Sequence, residues 1–152
     1  MLQHEIYMRE AVKQAREAYE KDEVPVGAVI VHDNQIIAKA HNQVETLKDP
    51  SAHAEMIAIT SAASTLDCKW LYECALYVTI EPCSMCAGAL VLSRIKTIYY
   101  GACDPKTGAC GSVLNVAQNK DLNHQIEVVG GILEGECGDL MSRFFAGKRK
   151  KQ

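Results

Sequence analysis

The chain has 152 residues, 48% hydrophobic and 23% charged, which suits one ordinary core and excludes a disordered or fibrous class. A formal net charge of -3 excludes a uniformly positive surface for indiscriminate nucleic-acid binding. No apolar stretch approaches the roughly 20 residues of a membrane span, and Met1-Leu2-Gln3-His4-Glu5 lacks the pattern of a signal peptide, so a cytoplasmic chain is expected.

From about His4 to Glu20, Met8, Ala11, Val12, Ala15, Ala18 and Tyr19 recur at three- and four-residue spacing, predicting an amphipathic helix. Val26 to Val31 is a β-prone run. A turn at Asp33-Asn34-Gln35 leads into Ile36 to Ala40, so the two runs form a hairpin. Ala54 to Ala63 reads as a helix beginning near His53, and Ala75 to Ile80 as a buried strand stopped by Pro82. Cys86 to Leu92 predicts a helix, Thr97 to Tyr100 a strand, and Gly101 to Ser112 a long loop. Glu127 to Val129 reads as a short strand. A closing helix is expected from Asp139 to about Lys150. Strands interleaved with helices predict one α/β domain over residues 1–152, with a mixed sheet of about five strands covered on both faces.

Seven cysteines are an odd number and too few for a disulfide scaffold, so metal binding or catalysis is the question to ask of them. Two segments stand out, His53-Ala54-Glu55 and Pro82-Cys83-Ser84-Met85-Cys86, and each opens a predicted helix. A helix start offers unpaired N–H groups and partial positive charge, which favour the thiolate that zinc requires. Cys83 and Cys86 can converge on one ion, His53 supplies a third bond, and the fourth tetrahedral position is left for water. Zinc brings the pKa of such a water towards roughly 7. Glu55, two residues past His53, is poorly placed as a fourth ligand but within reach of that water as a proton shuttle.

Blander readings stand beside this one. A lone Cys-x-x-Cys is more often a redox pair, a structural zinc knuckle or two buried thiols, and Cys68, Cys74, Cys103, Cys110 and Cys137 could each close a fourth position. No second Cys-x-x-Cys or paired histidines supply the usual partners of a closed site. His-x-Glu upstream of Pro-Cys-x-x-Cys is the arrangement of the zinc nucleobase deaminases.

At these residues the sequence resembles the zinc-dependent cytidine deaminase superfamily, most closely the bacterial tRNA adenosine deaminases. The similarity runs through Val24-Pro-Val-Gly-Ala28, Asn42, His53-Ala-Glu55, Glu81-Pro-Cys-Ser-Met-Cys-Ala-Gly88, Gly101 to Asp104, Lys106 to Ala109 and Asn123-His124. It implies a three-layer α/β/α cytidine-deaminase-like fold, one zinc per subunit, a homodimer, and a tRNA anticodon stem-loop whose wobble adenosine becomes inosine. It further implies that Asn42 hydrogen-bonds the base or ribose, that the Ala54 N–H holds the base, and that Asp104 meets a nucleotide near its loop. Read without the resemblance, Asn42 is a strand-ending turn residue and Asp104 an Asp-Pro turn. Cys103 and Cys110 flank the family-like loop, either as small fillers or as extra ligands.

The tail Phe144-Phe145 before Lys148-Arg149-Lys150-Lys151 also resembles this family. Phe144 and Phe145 would stack unpaired anticodon-loop bases, with Arg143, Lys148, Arg149, Lys150 and Lys151 neutralising phosphates. A closing helix that buries both rings is the competing reading. Two other functions stay open: deamination of free guanine, cytosine or deoxycytidylate, and a zinc-stabilised binding module without activity.

Overall fold

The computed structural model describes residues 2–151, with side chains described through Lys148. Its elements are α1 (Leu2–Glu20), β1 (Gly27–His32), β2 (Gln35–His41), α2 (Val44–Leu47), α3 (Ala54–Leu66), β3 (Cys74–Ile80), α4 (Ser84–Leu92), β4 (Thr97–Ala102), β5 (Glu127–Val129) and α5 (Glu134–Lys151). The strands form one five-stranded mixed sheet in the order β2-β1-β3-β4-β5. β1 pairs antiparallel with β2 and β3, whereas β3, β4 and β5 run parallel.

Both faces of the central strands are apolar, as a sheet between two helical layers requires. On β1, Ala28 and Ile30 join the core beneath α3 and α4, while Val29 and Val31 join the core beneath α1 and α5. β3 divides in the same way, with Leu76 and Val78 on the first face and Tyr77 on the second. This is the three-layer α/β/α arrangement expected from the alternation of elements.

Local chemistry fixes the hairpin. Asp33 and Asn34 adopt φ of 53° and 61° between the paired residues His32 and Gln35, a two-residue turn whose twist matches its strands. The register shifts between Ile30 and Val31, which pair with Ala38 and Ile36, leaving Ile37 as the extra residue of a bulge. Gly27 lies where a Cβ would strike the α1 backbone at Ala11 and Ala15, so its lack of a side chain lets that helix settle on the sheet.

One sequence expectation needs correction, and one element goes unmarked in the sequence. The closing helix starts at Glu134, five residues before Asp139. Gly135 and Gly138 argue against a helix by propensity, yet Glu134 and Glu136 suit the positive end of the helix dipole, and Cys137 and Leu140 are buried against the sheet. Tertiary burial outweighs propensity here. The four-residue α2 is too short to show a period, and spacing gives no sign of it.

Candidate active site

The site is built where α3 and α4 begin. His53 and Cys83 are the N-cap residues of these two helices, both extended, and neither side chain makes a capping hydrogen bond. Their side chains turn towards each other instead. His53 Nδ1 lies 3.6 Å from Cys83 Sγ and 3.5 Å from Cys86 Sγ. The ligand atoms of His53, Cys83 and Cys86 all fall within 4.8 Å of one another, the spacing one tetrahedral ion can bridge. Cys103 and Cys110 do not belong to this group among the described residues.

The electrostatics favour a metal-ready cluster. The Cys86 thiol donates to the Cys83 sulfur and, despite burial, holds that cysteine down to about 4, with His53 and the Cys86 backbone N–H adding to the effect. Cys86 is pushed up in exchange, first by its bond to Cys83 and then by burial, so the pair shares one proton. The bond between His53 and Cys83 raises the imidazole against the pull of burial. Glu55 is 4% exposed, and burial pushes its carboxyl up to about 7 while the neighbouring His53 draws it down. Elsewhere burial pushes the Cys110 thiol up to about 12, as expected of an inert core cysteine.

His53, Cys83 and Glu55 line a cleft of about 340 Å³, with Cys86 buried behind them. Val24, Val26, Val44, Pro50 and Ile80 give it apolar sides, and Asn42, Ala54, Glu55 and Asp104 place polar groups along it. Ala54 is the first residue of α3, where helical N–H groups lack intrahelical acceptors. Asn42 is buried, and its Nδ2 donates to the Val24 carbonyl at 3.3 Å. Among the described residues its buried Oδ1 has no hydrogen-bond partner, an unmet acceptor costing about 1–3 kcal/mol until a donor arrives.

Asp104 has a busier role than the sequence suggested. Its Oδ1 accepts from the backbone N–H groups of Lys106 and Thr107, and its Oδ2 from the Thr107 hydroxyl at 2.7 Å. Those bonds hold its carboxyl below the usual range, although burial pushes the other way. The turn reading and the cleft position are therefore both realised.

Phe144 and Phe145 part company. Phe144 is 6% exposed and packs edge-on against Tyr19, whereas Phe145 is 44% exposed and borders a second hollow beside Asp104, Lys106 and Met141. The Arg149 side chain lies outside the described residues. His124 is turned to the fold, with its Nε2 2.6 Å from the Ile95 carbonyl.

Two buried carboxylates carry no clear mark in the sequence. Glu23 accepts from Glu45 N–H, Thr46 N–H and the Thr46 hydroxyl, fixing α2 as a cleft wall. Glu81 accepts from Asp104, Cys110 and Ser112. Glu23 shows in sequence only as an acidic residue beside Val24-Pro25, and Glu81 only as the head of the family-like segment that runs to Gly88.

Residues 2–149 match the MafB19-like deaminase family. The tRNA-specific adenosine deaminase of Bacillus subtilis (strain 168) is 52% identical over 152 residues, covering 100% of this chain and 94% of its own. A solved structure from studies of A-to-I editing by tRNA:A34 deaminases at the wobble position of transfer RNA superposes with a TM-score of 0.85 at 42% identity. It covers 88% of this chain and 97% of that one. The guanine deaminase from Bacillus subtilis is 43% identical with a TM-score of 0.63, over 66% of this chain and 64% of its own.

Proposed function

The chain belongs to the MafB19-like deaminase family, in company with the tRNA-specific adenosine deaminases, and on that premise we propose that it hydrolyses the wobble adenosine of a tRNA anticodon to inosine. The observation that carries the reading is the convergence of His53, Cys83 and Cys86, with His53, Cys83 and the buried Glu55 lining one cleft and Cys86 buried behind them. His53 through Nδ1 and the two cysteine sulfurs would hold zinc, a soft donor set that leaves a coordination position open. Bound there, zinc supplies Lewis acidity that lowers the pKa of water towards roughly 7.

The chain's own residues do the rest. Deamination takes in water and releases ammonia, so protons must leave the water and reach the ring nitrogen and then the departing amine. Glu55 is the group for both transfers, because its buried carboxyl lines the cleft two residues from His53 and can take and return a proton there. Asn42 offers its unpaired Oδ1 to a hydroxyl or N–H of the nucleoside, while Ala54 turns a helix-start N–H towards the base. Phe145 gives an exposed ring for a neighbouring unpaired base, and Arg149 with Lys148 neutralises phosphates. The working form is a zinc-loaded homodimer in the cytoplasm. The zinc-stabilised, inactive module loses support because the ligand group holds three members and an adjoining cleft.

The test is incubation with an anticodon stem-loop carrying adenosine at the wobble position, beside free guanine, cytosine and deoxycytidylate. Inosine in the stem-loop is the expected product. Turnover of guanine with an untouched stem-loop would move the assignment to the free-base enzymes.

A further inference from the structure

Glu81 is 3% exposed and accepts four hydrogen bonds, all from one distant segment. Its Oε1 takes the Asp104 N–H at 3.2 Å and the Ser112 hydroxyl. Its Oε2 takes the Cys110 N–H at 3.0 Å and the Ser112 N–H at 3.1 Å. Among the described residues no cation pairs with it. Four donors converging on one side chain require an acceptor-only group with four lone pairs, which a carboxylate provides and an amide does not.

The segment from Asp104 to Ser112 is drawn onto the start of α4. The Ala109 N–H donates to the Pro82 carbonyl at 2.9 Å, and Cys83 forms a bridge with Gly108. A Cβ on Gly108 would sit 2.5 Å from the Glu81 carboxyl carbon and from the Asp104 carbonyl, so only glycine fits in the loop at that point. The outer part of this segment faces the cleft through Asp104 and Thr107.

We propose that Glu81 is a positioning residue for substrate recognition: it clamps the Asp104–Ser112 loop so that Asp104 and Thr107 form the cleft wall met by the nucleotide. This rests on the nucleoside-deaminating reading above. Glu81 acts through the loop and takes no part in proton transfer, so its loss weakens substrate binding while the metal group and Glu55 stay intact.

The experiment compares zinc-loaded wild type, Glu81→Gln and Ser112→Ala as full chains. In Glu81→Gln an N–H₂ faces N–H donors, and KM for the stem-loop should rise about tenfold with kcat per zinc changed less than about twofold. Ser112→Ala, at an exposed residue, should raise KM about two- to threefold, and it decides the matter if the first variant does not fold. Zinc content should match wild type, and the Cys110 and Ser112 amides should exchange faster in Glu81→Gln while those of β3 stay protected. Unchanged KM with a fallen kcat, absent zinc or lowered Tm alone would overturn the proposal, leaving Glu81 a fold-stabilising group. If wild type forms no inosine in the stem-loop, the functional reading fails separately, and the amide exchange still decides whether Glu81 clamps the loop.

Discussion

In the proposed reading the starts of α3 and α4 and the Phe145 side of α5 serve one substrate, yet the protein holds them in different ways. His53, Glu55, Cys83 and Cys86 issue from the starts of two helices, are buried or half-buried, and cluster at one point. Phe145 stands exposed, and Lys148 is paired at the surface with Asp22 at 3.1 Å, an interaction worth little in water. Chemistry needs atoms fixed to within fractions of an ångström, whereas holding a long polymer needs area and charge. Changes at the two regions should therefore separate turnover from binding.

The largest separation is expected at Glu55. Glu55→Ala should retain zinc and fold but lower kcat by about 10²- to 10⁴-fold, the range for removing a positioned proton carrier. A variant that deaminates normally would remove Glu55 from the chemistry. Next in size is metal uptake. The free pair holds one proton, with Cys83 down near 4 and Cys86 raised, and zinc must displace it. Zinc affinity should thus fall about tenfold for each pH unit of acidification on the alkaline side of the raised His53 titration, and more steeply below it, where the imidazole also holds a proton. Competition with a chelator across pH measures that slope, and a flat profile would contradict it.

Asn42→Ala tests the border between the two regions. It removes the unpaired acceptor without touching the metal group, so kcat/KM should fall about tenfold with zinc content unchanged. The smallest effect is expected from deleting residues 148–152. Stem-loop affinity should weaken, and its logarithmic salt slope should shrink by about 0.7 for each phosphate left without its cation, with kcat at saturation preserved. Identical binding across salt concentrations would confine recognition to the cleft.

Sequence was most informative where the physics is local. The hairpin turn, the strand at Glu127–Val129 and the two helix starts depend on residue type and spacing over a few positions, and each is found where expected. The start of α5 was hidden because two glycines argue for a loop, and only the sheet beneath Cys137 and Leu140 outweighs them. Glu23 and Glu81 were hidden for a related reason. Their partners are backbone N–H groups and two hydroxyls, 22 to 31 residues away, which leave no mark on sequence spacing. Phe144 and Phe145 were separable only by which ring meets Tyr19.

The place of β3 in the sheet has a dynamic consequence. It is hydrogen-bonded on both sides, antiparallel to β1 and parallel to β4, with most of its residues buried. Such a strand opens only when the whole domain unfolds, whereas an exposed helix end frays at little cost in free energy. Cys83 follows it by three residues, so the catalytic end hangs from the slowest-opening part of the molecule. The candidate metal ligands are thereby anchored to a part of the fold that stays still, as the proposed chemistry requires.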